Sequence, residues 1–306
     1  EAVDLALART LLPERPPDGH KGTFGRVALA AGSPFMPGAA ALAAEGALRS
    51  GCGLVHLATH PSLVPALLPR IPEVLFHPLD AAALPALLPE MSSVGVGPGL
   101  GRTLPDPLLE RLLLEVRSLV LDADALNQVA RSPDHLAPLL PGRAARGLPP
   151  ALLLPHPGEG QRLLEAFPPV GDPAGESLAS RLDITRALAR RTGCVVLYKG
   201  AGSVTATPGG QVRINLSGNS GLAKGGSGDI LCGLAAGLLA QGLRPHDAAA
   251  LAACLHGLAA DLAAARTGVR ALRPVDVLAA LPEAFLALEA ALPQEDRIPA
   301  PEGRLS

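Results

Sequence analysis

Aromatic side chains are nearly missing from this 306-residue chain, which has no tryptophan, one tyrosine and five phenylalanines. Surfaces that bind single-stranded nucleic acid stack bases on such rings, so that class of partner is excluded. Excess positive charge is missing too. A formal net charge of -2 provides no basic footprint for duplex DNA. The four cysteines, Cys52, Cys194, Cys232 and Cys254, lie far apart without a C-x-x-C pair. That argues against a zinc site or a disulfide framework and fits a reducing cytoplasm. Cys232 and Cys254 sit in apolar helical patterns and read as core. No signal peptide is visible. Residues 248–267 are alanine-rich but carry His256, Asp261 and Arg266, so they read as a buried helix rather than a membrane span. The chain opens on Glu1 rather than methionine, as a piece of a longer protein would.

Lysine and asparagine are scarce. The lysines are Lys21, Lys199 and Lys224, and the asparagines are Asn127, Asn215 and Asn219. Four of these six fall between 199 and 229. In a chain biased to Ala, Leu, Arg, Pro and Gly, chemistry is a plausible reason for their survival there.

Hydrophobic residues make up 48% of the chain, enough for a sizeable core, and the length suits one large α/β domain or two small ones. Residues 1–12 suit a short helix, and 13–20 form a Pro-rich linker. Short apolar runs at 26–31, 53–59, 93–97, 119–122, 151–155 and 194–199 end in Gly, Pro, Asp, His or another polar residue. Helical patterns at 38–50, 106–116, 158–167 and 177–192 alternate with them. Such alternation predicts a mostly parallel sheet covered on both faces. Residues 202–214 read as a hairpin around Pro208, Gly209 and Gly210, adding late antiparallel edge strands. Helices at about 229–241, 246–266 and 274–290 complete a domain spanning 21–292, and 293–306 read as a disordered tail.

The richest motif is Gly218-Asn219-Ser220-Gly221-Leu222-Ala223-Lys224-Gly225-Gly226-Ser227-Gly228-Asp229, which runs into an apolar helix. Glycines let free backbone N–H groups face an anion at the positive end of a helix dipole. A carboxylate fixed there is poorly placed to bind phosphate. It is well placed to take a proton from a hydroxyl that attacks phosphate. The plain alternative is that Asp229 merely favours the helix dipole, but the density of glycine favours a phosphate site.

Other motifs fall at strand ends, where open α/β sheets bind ligands. Ala31-Gly32-Ser33-Pro34 followed by Gly38-Ala39-Ala40 lacks the G-x-G-x-x-G spacing. Gly95-Val96-Gly97-Pro98-Gly99-Leu100-Gly101 lacks it as well, because Leu100 and Arg102 stand at the third-glycine positions, and no lysine completes a Walker A motif. Asp124 suits a helix cap, whereas Asp122 is a candidate for a metal–water shell near phosphates. His156, between Pro155 and Pro157, is held rigidly. Glu159 either binds magnesium through water or favours the helix dipole. Lys199, before Gly200, Ala201, Gly202 and Ser203, is either a phosphate-pairing point charge or a solvated lysine.

Taken in order, these motifs resemble the ADP/ATP-dependent NAD(P)H-hydrate dehydratases of the ribokinase-like superfamily. The likeness also takes in His20-Lys21-Gly22, Gly25-Arg26-Val27 and Leu121-Asp122-Ala123-Asp124-Ala125-Leu126-Asn127, and it covers about residues 15–290. Leu222 departs from it, since many members have methionine there. The resemblance implies a three-layer α/β/α sandwich. It also implies phosphorylation and then dehydration of the S epimer of NADH or NADPH hydrate, with ADP or ATP as phosphoryl donor. It assigns substrate contacts to Ala39, Gly99, His156 and Asp229, with Asp229 catalytic. The nucleotide site would comprise Lys199, Gly200, Ala201, Gly202, Ser203, Asn219, Gly225, Gly226, Ser227 and Gly228. Magnesium would bridge the phosphates through Asp122 and Glu159. A fused or separate epimerase domain and a homo-oligomer are further implied partners.

Two rival functions use the same loop. A vitamin-alcohol kinase of this fold would stop at a stable phosphate ester. A non-catalytic nucleotide sensor would bind without turnover, which an intact Asp229 disfavours.

Overall fold

A computed structural model describes residues 1–101, 104–169 and 178–290. The tail expected at 293–306 lies outside the described residues. Ten strands form one sheet among them: β1 (Ala2–Val3), β2 (Arg26–Ala30), β3 (Leu54–Thr59), β4 (Leu75–Pro78), β5 (Ser93–Val96), β6 (Leu119–Leu121), β7 (Leu152–Leu153), β8 (Val195–Tyr198), β9 (Val204–Ala206) and β10 (Val212–Asn215). Their order is β1-β10-β9-β8-β7-β6-β5-β2-β3-β4. From β8 to β4 every neighbouring pair is parallel. β9 runs against both β8 and β10, so the expected hairpin at 202–214 forms. Two strands were not foreseen. β1, inside the segment read as helix, is two residues long and pairs with β10. β4 is partly exposed at the opposite edge and lacks an apolar run.

The helices are α1 (Leu5–Thr10), α2 (Pro37–Arg49), α3 (Val64–Leu67), α4 (Ala83–Leu87), α5 (Asp106–Glu115), α6 (Ala123–Ala130), α7 (Pro157–Ala166), α8 (Arg181–Thr192), α9 (Ser227–Ala240), α10 (Pro245–Thr267) and α11 (Pro274–Glu289). Residue 177, where the helical pattern begins, lies outside the described residues; α8 begins at Arg181, where Ser180 caps it by accepting from the Asp183 N–H.

Alternation along the strands divides the core. Val27 and Leu29, Leu152, and Val195 and Leu197 join α2, α9, α10 and α11 on one face. Ala28 and Ala30, Leu153, and Val196 and Tyr198 join α5, α6, α7 and α8 on the other. The result is a three-layer α/β/α sandwich. α10 has the length and apolarity to cross a membrane, but most of it is buried here between the sheet and its neighbouring helices.

Small residues bring α2 and α9 into backbone contact. A Cβ at Gly233 would stand 1.8 Å from the Ala43 carbonyl oxygen, and one at Gly46 would stand 2.4 Å from that of Ile230. These glycines fix where the first turn of α9 lies relative to α2.

Candidate active site

Parallel strands deliver their following turns to one end of the sheet. The turns after β2, β5, β6, β7 and β8 therefore meet the N-terminus of α9. Gly32 donates to the Pro98 carbonyl at 2.8 Å, locking the first two turns together. Gly99 has a φ of +61°, and a Cβ there would lie 2.6 Å from the Ala39 Cβ. Ala39 and Gly99, both expected to contact substrate, thus lie against each other. The pair must remain small for the turns to close.

Gly226 precedes α9 with a φ of +101°, and a Cβ at this position would meet Leu42 at 2.6 Å. The backbone conformation is what favours glycine here, since the Leu42 methyl could move aside. No side chain caps this helix. Among the described residues, the N–H groups of Gly225, Gly226, Gly228 and Asp229 donate no hydrogen bond. Four free donors at a positive helix end are what an anion site needs.

Asp229 stands in that first turn and is partly buried. Burial, then the nearby carboxylates Asp122 and Asp124, push its carboxyl up to about 7, against the opposing pull of Lys199. A carboxylate that titrates near neutrality can both hold and release a proton under working conditions.

Beneath this turn lies a closed charge cluster. Lys199 Nζ is 2.5 Å from Asp122 Oδ1 and 4.0 Å from Glu159 Oε2. Asp122 and Glu159 are only 1% and 4% exposed. Burial alone would lower the Lys199 pKa, but the two carboxylates outweigh it and hold the ammonium above its usual range. Lys199 is thus held as the partner of two carboxylates, a role not considered on sequence, while its side chain stays 18% exposed.

Asp122 caps α6, accepting from the Ala123 N–H at 2.8 Å. Asp124, expected as the cap, instead accepts from the Gly101 N–H at 2.7 Å and anchors the turn after β5. His156 caps α7: its Nδ1 accepts from the Gly158 and Glu159 N–H groups, while Glu159 Oε2 accepts from the His156 N–H. The His156 side chain remains half exposed at the site's edge.

Asp122 and Glu159 are of the right chemical kind to hold magnesium. Yet Asp122 Oδ1 and both Glu159 oxygens already have partners, and a cation already stands beside them. Among the described residues no three His, Cys, Asp or Glu side chains gather as metal ligands. The pair as arranged does not fit a resident divalent ion.

Scarcity of lysine and asparagine was an imperfect guide. Lys224 donates to the Arg270 and Leu272 carbonyls and clips the glycine loop in place. Asn219 donates to Asp261 and accepts from the Gly221 N–H, so its amide serves the loop. Sequence reasoning missed Asp261, which also accepts from the Gly218 N–H at 2.8 Å. Its one sequence signal was a carboxylate in an alanine-rich helix. Arg181 was missed as well; it donates to the Ala201 carbonyl and lies against Gly200, in the turn expected to line the nucleotide.

The sequence profile of the NAD(P)H-hydrate dehydratase family matches residues 27–283. A bifunctional NAD(P)H-hydrate repair enzyme of Moorella thermoacetica is 42% identical over 94% of this chain, which spans 54% of that relative. The ADP-dependent (S)-NAD(P)H-hydrate dehydratase of Neisseria meningitidis is 37% identical over 84% of this chain and 83% of its own length. Among solved structures, the ADP/ATP-dependent NAD(P)H-hydrate dehydratase of Bacillus subtilis, co-crystallised with ATP and Mg2+, matches with a TM-score of 0.74. It is 30% identical, and the match covers 93% of this chain and 97% of that one. A hydroxyethylthiazole kinase of Pyrococcus horikoshii, 17% identical with a TM-score of 0.53, shares the fold alone. Ribokinase-like in fold and matched by the family profile over residues 27–283, the chain belongs to the NAD(P)H-hydrate dehydratase family.

Proposed function

We propose that this chain restores damaged NADH or NADPH by nucleotide-dependent dehydration of the S epimer of the hydrate. The observation that carries the reading is an uncapped α9 N-terminus beside a carboxyl titrating at about 7. The terminal phosphoryl group of ADP or ATP rests against the free N–H groups of Gly225, Gly226 and Gly228. Asp229 takes the proton from the hydrate hydroxyl as its oxygen attacks phosphorus, and the nucleotide leaves with the electrons of the broken P–O bond. The ring carbon next to the phosphate ester then loses a proton. The C–O bond breaks, phosphate departs with its electron pair, and the ring double bond returns. Phosphorylation replaces hydroxide, a poor leaving group, with phosphate, a good one.

Ala39, Gly99 and His156 line the hydrate side, and the turn from Lys199 to Ser203 faces the nucleotide. Magnesium enters on the nucleotide phosphates, where it supplies charge neutralisation. The presence of ATP and Mg2+ with the Bacillus subtilis protein supports that role. The chain spans about half the length of several curated relatives it matches, so the other part of a bifunctional enzyme is proposed as a fused or separate partner.

The test is recovery of reduced-nicotinamide absorbance from NADH hydrate with magnesium and either ADP or ATP. Recovery that needs nucleotide, and falls about 10³-fold in Asp229→Asn while nucleotide affinity changes less than a few fold, is expected. A stable phosphorylated product without recovery would favour the vitamin-kinase reading.

A further inference from the structure

We infer that the Lys199 ammonium is the permanent cation of the Asp122–Glu159 site, occupying the place a divalent ion would otherwise take. The inference holds whichever alcohol is the substrate, because it concerns only charges within the protein.

Two carboxylates at 1% and 4% exposure need a positive partner. The described residues supply one at their common side, 2.5 Å from Asp122 and 4.0 Å from Glu159. Its position is fixed from two directions. Asp122 is held by the Ala123 N–H as the cap of α6, and Glu159 is held by the backbone and ring of His156 as part of the capping box of α7. Both carboxylates are thus aimed before any ligand arrives. A divalent ion would have to evict a lysine already paired with both carboxylates.

The placement also has a purpose. A Cβ at Gly228 would be 3.4 Å from Lys199 Nζ and 3.8 Å from Asp122 Oδ2. The cation therefore stands beside Gly228, one of the residues of α9 whose backbone donor is free. It offsets, at the glycine, part of the negative charge that Asp122 and Glu159 place beneath the turn.

The test uses the full chain without nucleotide, with Mn2+ as the probe. Free Mn2+ is followed by electron paramagnetic resonance, and thermal melting is recorded alongside. Wild type is expected to take up no Mn2+ below millimolar concentration. Lys199→Ala should bind one ion at least tenfold more tightly, and adding Asp122→Asn should remove it. Lys199→Ala should also melt lower, by on the order of 10 °C, because it strands two buried carboxylates. Either Mn2+ or the second substitution Asp122→Asn should return more than half of that loss. The double variant, free of the unpaired Asp122 charge, keeps the test valid if the single variant does not fold. Submillimolar Mn2+ binding by wild type, abolished by Asp122→Asn, would overturn the inference. So would a double variant no more stable than Lys199→Ala, or a Lys199→Ala protein that melts like wild type.

Discussion

Helices α7 and α9 both begin at the working end of the sheet, and their first turns differ in every respect that matters to a ligand. In α7, Pro157 brings no N–H, the Gly158 and Glu159 N–H groups donate to His156 Nδ1, and Gly160 donates to the His156 carbonyl. In α9, no side chain caps the helix, and Gly225, Gly226, Gly228 and Asp229 keep their donors free. One end has spent its hydrogen-bonding capacity on itself, and the other has kept it. The difference leaves only the α9 end with donors to offer an anion, because the sequence withholds a cap there. It also separates two kinds of glycine. Gly158 follows a cap and allows it, whereas Gly226 takes the place of one.

The contrast should be most visible in its response to pH. Asp229 must be ionised to accept a proton, so kcat/KM should fall about tenfold per unit below pH 7, and about 100-fold by pH 5. Stability should run the opposite way. The Asp229 pKa in the folded protein, about 7, lies above the ordinary value of 3.8, so its favourable contribution is full at low pH and is lost as pH rises through 7. Asp229→Asn should therefore melt increasingly above wild type as pH rises from 4 to 7, then hold that advantage. A pH-independent gap in melting temperature would reject the burial argument.

A smaller effect is expected on giving α9 the cap it lacks. A Cβ at Gly225 meets nothing within 4 Å, and Gly225 is outside the positive-φ set, so Gly225→Asp should fold normally. Its carboxylate would compete for the free donors and repel phosphate, weakening ADP binding roughly tenfold, about 1.4 kcal/mol. Unchanged affinity by calorimetry would show that the nucleotide does not use this turn. Smallest is the loss of the cap that α7 has. His156→Ala should cost about 1 kcal/mol in denaturant unfolding and leave ADP affinity unchanged. A fall in ADP affinity would merge the two helix ends into one site and break the comparison.

How much of this could be read in advance depended on the range of each interaction. The inner strands were legible because each is a short apolar run stopped by a turn residue, as in 26–31 and 119–122. β1 was not, because two residues carry no pattern; only the pairing of Ala2 with Ile214 makes them a strand. β4 escaped because an edge strand with exposed Leu75 and Pro78 looks like a loop. The glycine loop before Asp229 announced itself locally. Lys199 did not reveal its partner, since Asp122 is 77 positions away and only the parallel order of β6, β7 and β8 brings them together. Asp261 likewise reaches Gly218 across 43 positions. Asp122 takes the capping duty expected of Asp124 because both suit a helix start, and Asp124 is drawn instead to the turn at Gly101.

The glycine contacts between α2 and α9 have a consequence of another kind. Gly233 lies one helical turn beyond Asp229, pressed within van der Waals reach of the α2 backbone, and α2 carries Ala39 near its start. The proposed base and the proposed substrate wall thus share one mounting, with no long side chain between them to act as a spring. A displacement of ~1 Å between reacting groups is enough to lose on the order of 10²-fold in rate. The alignment tolerance of the chemistry is therefore set in a featureless stretch of Ala, Gly and Leu, and a single added methyl group there would be a machining error.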